Sequence, residues 1–162
     1  MPPLTPGPTS SLAAYHVAQY NIARMRAPLD DPGMRGFVSR LDELNHLADR
    51  SPGFVWRHTA DGSDDSTSVR LYPDDPLVII NMSVWESIDA LHEFAYRSGH
   101  GPIYAARHTW FEPMDGHTLV LWWVPAGAIP DGSQGKIRLE LLRRRGPSPQ
   151  AFTIKQRFPP AE

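Results

Sequence analysis

From Tyr15 onward the apolar positions alternate between a two-residue and a helical period. Residues 15–23 (YHVAQYNIA) split by parity into Tyr15, Val17, Gln19, Asn21 and His16, Ala18, Tyr20, Ile22, which predicts a strand. Both sets mix polar and apolar groups, so neither face is expected to be fully solvated. Asp31-Pro32 has the form of an N-cap followed by proline at the first helical position. Met34, Phe37, Val38, Leu41, Leu44, Leu47 and Ala48 then recur at helical spacing, predicting a helix that ends near Arg50 before Ser51-Pro52-Gly53. Residues 54–59 (FVWRHT) predict a short strand, and 61–68 a polar loop. The β-branched run 77–85 predicts a strand leading into a helix over 86–97, with Glu86 and Asp89 at the positive end of its dipole. Gly99-His100-Gly101-Pro102 breaks that helix, and a further helical piece spans 103–111. Residues 118–124 (TLVLWWV) form the most apolar strand. Ser133 is expected to cap a helix running to Arg145, whose last turn carries Arg143, Arg144 and Arg145. Residues 151–156 are expected to form a last strand.

This order, βα-ββα(α)β with a C-terminal helix–strand extension, predicts an α+β fold. The expected architecture is a ferredoxin-like antiparallel sheet with helices on one face. The other face, carrying Trp, Asn and Met, would then be open, and apolar open faces signal a partner. A second copy closing a dimeric α/β barrel by two-fold symmetry is the economical expectation. Residues 1–12, rich in proline, are expected to be a tail, 13–158 a single domain, and 159–162 a short second tail.

Composition narrows the function. The formal net charge of the 162 residues is −2, so no basic excess points to nucleic acid. No apolar run reaches about 18 residues, and the N-terminus lacks the charged and apolar regions of a signal peptide, so neither a membrane span nor export is expected. A cytoplasmic location is the default expectation. Cysteine is absent, which removes disulfides, thiol nucleophiles and thiolate metal sites. No HExxH-type spacing suggests a metal, and no GxGxxG suggests a dinucleotide. Five tryptophans require a core or a pocket to house them.

The segments QYNIAR (19–24), GFVWR (53–57), NMSVWES (81–87), YRSGH (96–100), LWWVPAG (121–127) and RLELLRRRGPSPQAFT resemble an uncharacterised domain-of-unknown-function family. That family is placed in the dimeric α/β-barrel superfamily, near the antibiotic-biosynthesis monooxygenases. The resemblance implies a homodimeric barrel related to cofactor-independent monooxygenases, polyketide cyclases, lactone isomerases and heme degraders. Heme degraders of this fold use an Asn on the first strand, a Trp just before the second helix and a His on that helix. Asn21 and Trp85 are similar in placement, whereas His100 comes later, in the Gly-rich break.

Several residues are candidates for a site. Gln19 and Asn21 share one parity of the first strand, and Asn81, Ser83 and Trp85 share one parity of the third. Amide and indole donors on such a face can hold a carbonyl or enolate oxygen, or can satisfy backbone groups and a buried water. His100 is the leading acid–base candidate, and it is equally placed to end a helix. With Asn21 and Trp85 it forms the expected catalytic set. His58 lies two positions after Trp56, on the same side of its strand. Arg107 and Trp110 are three apart on one helix side, as a packing pair or with Arg107 reaching a carboxylate. Tyr96 and Trp122 complete the expected substrate-binding set with Gln19, Trp56, His58, Asn81, Ser83 and Arg107.

The leading functional expectation is a cofactor-independent enzyme, of monooxygenase, cyclase or isomerase type. Its substrate would be a small aromatic or polyketide-like molecule, in a setting such as secondary metabolism. The alternatives are a non-catalytic small-molecule-binding protein and a heme-binding protein.

Overall fold

The computed structural model of the protein describes residues 14–99 and 106–160. Strand β1 (Tyr15–Met25) is followed by a single 3-10 turn, Pro32–Met34, and helix α1 (Arg35–Asp49). Then come β2 (Phe54–Arg57), β3 (Val78–Trp85), α2 (Ile88–Gly99), the one-turn α3 (Arg107–Trp110), β4 (Phe111–Glu112), β5 (Leu119–Pro125) and α4 (Gly132–Arg145). Among the described residues the strands form one five-stranded sheet in the order β2-β3-β1-β4, with β5 also pairing β1. Every pair is antiparallel. β1 is the centre: β3 lies on one side, and β5 and β4 share the other.

The local signals act as physics requires. The Asp31 carboxylate accepts from Gly33 N–H at 2.8 Å, and Pro32 opens the turn behind it. Ser87 accepts from Ala90 N–H at 3.0 Å and starts α2 two residues later than the pattern placed it. At α4 the cap is Asp131 rather than Ser133. Its side chain accepts from Gln134 N–H at 2.9 Å, and the Gln134 side chain accepts from Asp131 N–H at 2.9 Å, a full capping box. The expected last strand over 151–156 reduces to two isolated bridges, Ser148 with Ala151 and Leu121 with Phe152, the latter bonded in both directions at 2.9 Å. Beyond it Thr153 Oγ1 accepts from Gln156 N–H at 3.0 Å, which turns the chain away from the sheet edge.

Helices cover both faces, not one. The even positions Ala18, Tyr20, Ile80, Met82, Val84, Val120 and Trp122 form one core with Leu139 and Leu142 of α4. The first turn of α4 can approach closely because glycines stand there. A Cβ on Gly135 would lie 2.3 Å from the Tyr20 ring, and one on Gly132 would lie 2.9 Å from Leu71. The chain between β2 and β3 lies over the same face, with Val69, Leu71 and Tyr72 packed onto the core. Tyr20 and Tyr72 hydroxyls share a 2.8 Å hydrogen bond, and burial holds the Tyr20 phenol well above its ordinary range. Lys136 sits over the Tyr72 ring at 4.7 Å and donates to Leu71 O at 2.8 Å. The sheet face opposite α1 and α2 is therefore covered by the chain's own C-terminal helix and inter-strand segment, while the asparagines expected on an open face, Asn21 and Asn81, lie on the α1 and α2 side. Trp122, only 2% exposed, is part of this packing.

The odd face packs against α1 and α2. It is apolar at its two ends and polar between them. At one end Val17, Trp85 and Leu121 meet Ala48, Ile88 and Leu91. At the other Met25 and Ile79 meet Met34, Phe37 and Trp110. Gln19, Asn21, Asn81 and Ser83 occupy the band in between, and register sets Gln19 opposite Ser83 and Asn21 opposite Asn81. No helix among the described residues is long and apolar enough to cross a membrane.

Candidate functional site

Two helices laid across a sheet close their interface only where both surfaces are apolar. Above the polar band they do not close. A cavity of about 420 Å³ remains between the odd face, α1 and α2, within the range of roughly 300–1,000 Å³ usual for small-molecule sites. Its floor includes Gln19, Asn21, Asn81, Ser83 and Trp85, while Phe37, Leu41 and Leu44 of α1 and Leu91 and Phe94 of α2 supply apolar walls.

The floor is a hydrogen-bonded set. Gln19 Nε2 donates to Asn81 Oδ1 at 2.6 Å and to Ser83 Oγ at 2.7 Å. Trp85 Nε1 donates to Ser83 Oγ at 2.8 Å. Gln19 and Ser83 are buried, whereas Asn81 is exposed at the mouth. Trp85 is 1% exposed, stacked on Phe94 at 5.2 Å and met edge-on by Phe54 at 5.5 Å. Its indole N–H, expected to donate to a substrate oxygen, is already committed to Ser83, so Trp85 positions the floor instead.

At the rim, Arg57 is held by two carboxylates. It donates to Asp49 Oδ1 at 2.7 Å and to Asp64 Oδ1 at 2.8 Å, and also to the Asp64 carbonyl. His46 lies 3.1 Å from Asp64. The hydrogen bonds from Arg57 and then His46 hold the Asp64 carboxyl below the ordinary carboxylate range, and the bond to Asp49 raises the Arg57 guanidinium further. The network ties the loop after β2 to α1 and leaves Arg57 fully engaged.

The other expected residues divide. Arg107 lines the cavity from α3. His58 is at its rim, with its ring beside that of Trp56 at 5.9 Å. Trp56 packs on the α4 side of the sheet, because a bulge between Phe54 and Trp56 sets Trp56 opposite Val84. Trp56 and Trp122 thus face away from the cavity, a correction to their expected substrate-binding role. Tyr96 is 63% exposed on α2 and is not on the lining. His100 lies outside the described residues. Among those residues no three His, Asp or Glu side chains cluster as a metal site would need.

Sequence reasoning missed Asn45. This residue sits on the cavity side of α1, 9% exposed, between Leu41 and Ala48 at helical spacing. A polar residue inside an apolar helical stripe was the available signal. Arg57, at the end of β2, and Asp65 and Ser66, in the loop after it, were also missed; that loop has no periodicity to read.

The family described as Domain of unknown function (DUF3291) matches residues 16–162. The chain belongs to the DUF3291 family. No curated protein matches it. Among solved structures, this DUF3291 chain is similar to the NE2512 protein of unknown function from Nitrosomonas europaea. The identity is 13% and the TM-score 0.42, over 74% of this chain and 99% of that one.

Proposed function

We propose that this DUF3291 protein binds a small, largely apolar organic molecule in the cavity between the sheet and α1 and α2. The observation that carries the reading is the uncharged polar band, Gln19–Ser83–Trp85 with Asn21 and Asn81, at the base of a 420 Å³ cavity walled by Phe37, Leu41 and Leu44 of α1 and Leu91 and Phe94 of α2. Polar residues at strand positions under a helix weaken packing unless they serve a ligand or water. Here they run as one band across paired strands. The strand order β2-β3-β1-β5, with α1 and α2 as crossovers on one face, supports a ferredoxin-like reading of the core. Because α4 covers the second face, the proposal is made for the single chain and needs no second copy.

The catalytic form of this reading is a cofactor-independent monooxygenase, cyclase or isomerase, in which the ligand is a substrate. It requires a base near the ligand, and His58 at the rim is the imidazole that supports it.

The test is a titration of small aromatic ketones followed by tryptophan fluorescence, since Trp85 borders the cavity. Saturable binding in the native protein, lost in Leu44→Trp, which fills the space from α1, is the expected result. Binding that survives Leu44→Trp unchanged overturns the assignment of the site.

A further inference from the structure

The hydroxyl of Ser83 is a donor with nothing among the described residues to accept from it. A serine hydroxyl has one proton and two lone-pair sites. Gln19 Nε2 at 2.7 Å and Trp85 Nε1 at 2.8 Å both point hydrogens at Ser83 Oγ. An indole nitrogen can only donate, so one of those sites is taken whatever else happens, and the Gln19 amide takes the other. The Ser83 proton must then be offered outward, and among the described residues no acceptor receives it. Ser83 is 6% exposed and lines the cavity. A second group has the same character. The Asn45 amide, on α1 above the floor, is 9% exposed, lines the cavity, and has no hydrogen-bond partner among the described residues.

We propose that the cavity selects an uncharged ligand bearing a carbonyl oxygen, which accepts from the Ser83 hydroxyl, while the Asn45 amide across the cavity reads a second polar group. This rests on the binding reading above and adds the chemical class. The floor around Ser83 is built from neutral groups, Gln19, Asn81 and Trp85, so an ion seated there would lose its hydration without a counter-charge. Of the two guanidiniums on the lining, that of Arg57 is already held by Asp49 and Asp64, and that of Arg107 comes from α3, whose Trp110 packs at the Met25 end of the face rather than beside Ser83. Trp85 and Gln19 act as positioning residues: they fix which way the Ser83 proton points before any ligand arrives, the arrangement that lowers the cost of binding.

The experiment compares 1-tetralone, the hydrocarbon tetralin and the anion 1-naphthoate by calorimetry. The native protein should bind the ketone at least fivefold more tightly than the hydrocarbon, with the anion weakest. In Ser83→Ala the ketone should lose that advantage while tetralin affinity stays within about twofold. Because Ser83→Ala strips Trp85 of its acceptor and Gln19 of one of its two, and could unfold the chain, the carbonyl stretch of bound 1-tetralone is read in the native protein as well. A shift to lower frequency relative to the ketone in hydrocarbon solvent is expected. For Asn45, the hydroxy-1-tetralone isomer that gains most over 1-tetralone should lose that gain in Asn45→Leu. Equal binding of ketone and hydrocarbon, an unshifted carbonyl stretch, or preference for the anion overturns the proposal while leaving a small-molecule site in place. No binding by any of the three compounds counts against the site itself.

Discussion

Replacing Asn45 by leucine should make the protein more stable and a poorer binder. The side chain is 9% exposed within an apolar stripe of α1 and has no hydrogen-bond partner among the described residues. An unpaired buried amide costs about 1–3 kcal/mol in mutational measurements. Contact with a cavity that admits water puts Asn45 at the low end of that range, about 1 kcal/mol. Leucine has the same branched shape with two bulkier methyl groups in place of the amide atoms, and the adjoining cavity takes the extra volume without overpacking; leucine also gains roughly 0.5 kcal/mol of helix propensity over asparagine. The sum is about 1.5 kcal/mol, or about 4 °C in Tm for a domain of this size. Differential scanning calorimetry of native and Asn45→Leu protein measures it directly. A lower melting temperature for Asn45→Leu would refute the reasoning, because it would mean that the amide supports the fold rather than waiting for a ligand.

Three further outcomes follow from the same structure. Gly135→Ala places a Cβ 2.3 Å from the buried Tyr20 ring, so the helix-propensity gain of about 1 kcal/mol should be outweighed, with a net loss of about 2 kcal/mol by urea denaturation; a neutral result would mean that α4 sits further from the sheet. Trp85→Phe removes the indole N–H from Ser83 and leaves a gap beside Phe94, and should destabilise by about 2 kcal/mol while weakening ketone binding, checked by melting and titration together. The Asp64 carboxyl is lowered by Arg57 and His46, so its contribution is complete above the unfolded carboxylate value of about 4 and is lost as pH falls through the lower folded value. Melting temperature measured below pH 4 should therefore fall less steeply in Asp64→Asn than in the native protein, and parallel curves would remove Asp64 from the account.

Much of the sheet was legible because its strands are dense in β-branched and aromatic residues and its helices carry ordinary caps. The parity of Gln19, Asn21, Asn81, Ser83 and Trp85 was readable for the same reason: alternation along two adjacent antiparallel strands puts them on one face. What lay over that face was not readable. Nothing local in residues 132–145 tells which side of the sheet α4 will take, since this depends on the close approach of Gly135 to Tyr20, far apart in sequence. The bulge between Phe54 and Trp56 sets Trp56 opposite Val84, on the α4 side, and simple alternation along β2 does not show such a shift. Asn45 escaped notice because an isolated asparagine in an apolar stripe resembles a tolerated exception until its missing partners are visible. The commitment of the Trp85 N–H to Ser83 depends on rotamers, which periodicity does not encode.

The most direct test of the central claim is a proton–nitrogen correlation spectrum of the labelled protein titrated with 1-tetralone. Binding in the cavity predicts concentration-dependent shifts at the Trp85 indole N–H, the Gln19, Asn45 and Asn81 side-chain amides and the Ser83 backbone amide, with Trp56 and Trp122 on the opposite face unmoved. Shifts confined to the α4 face, or none at saturating ketone, would contradict it.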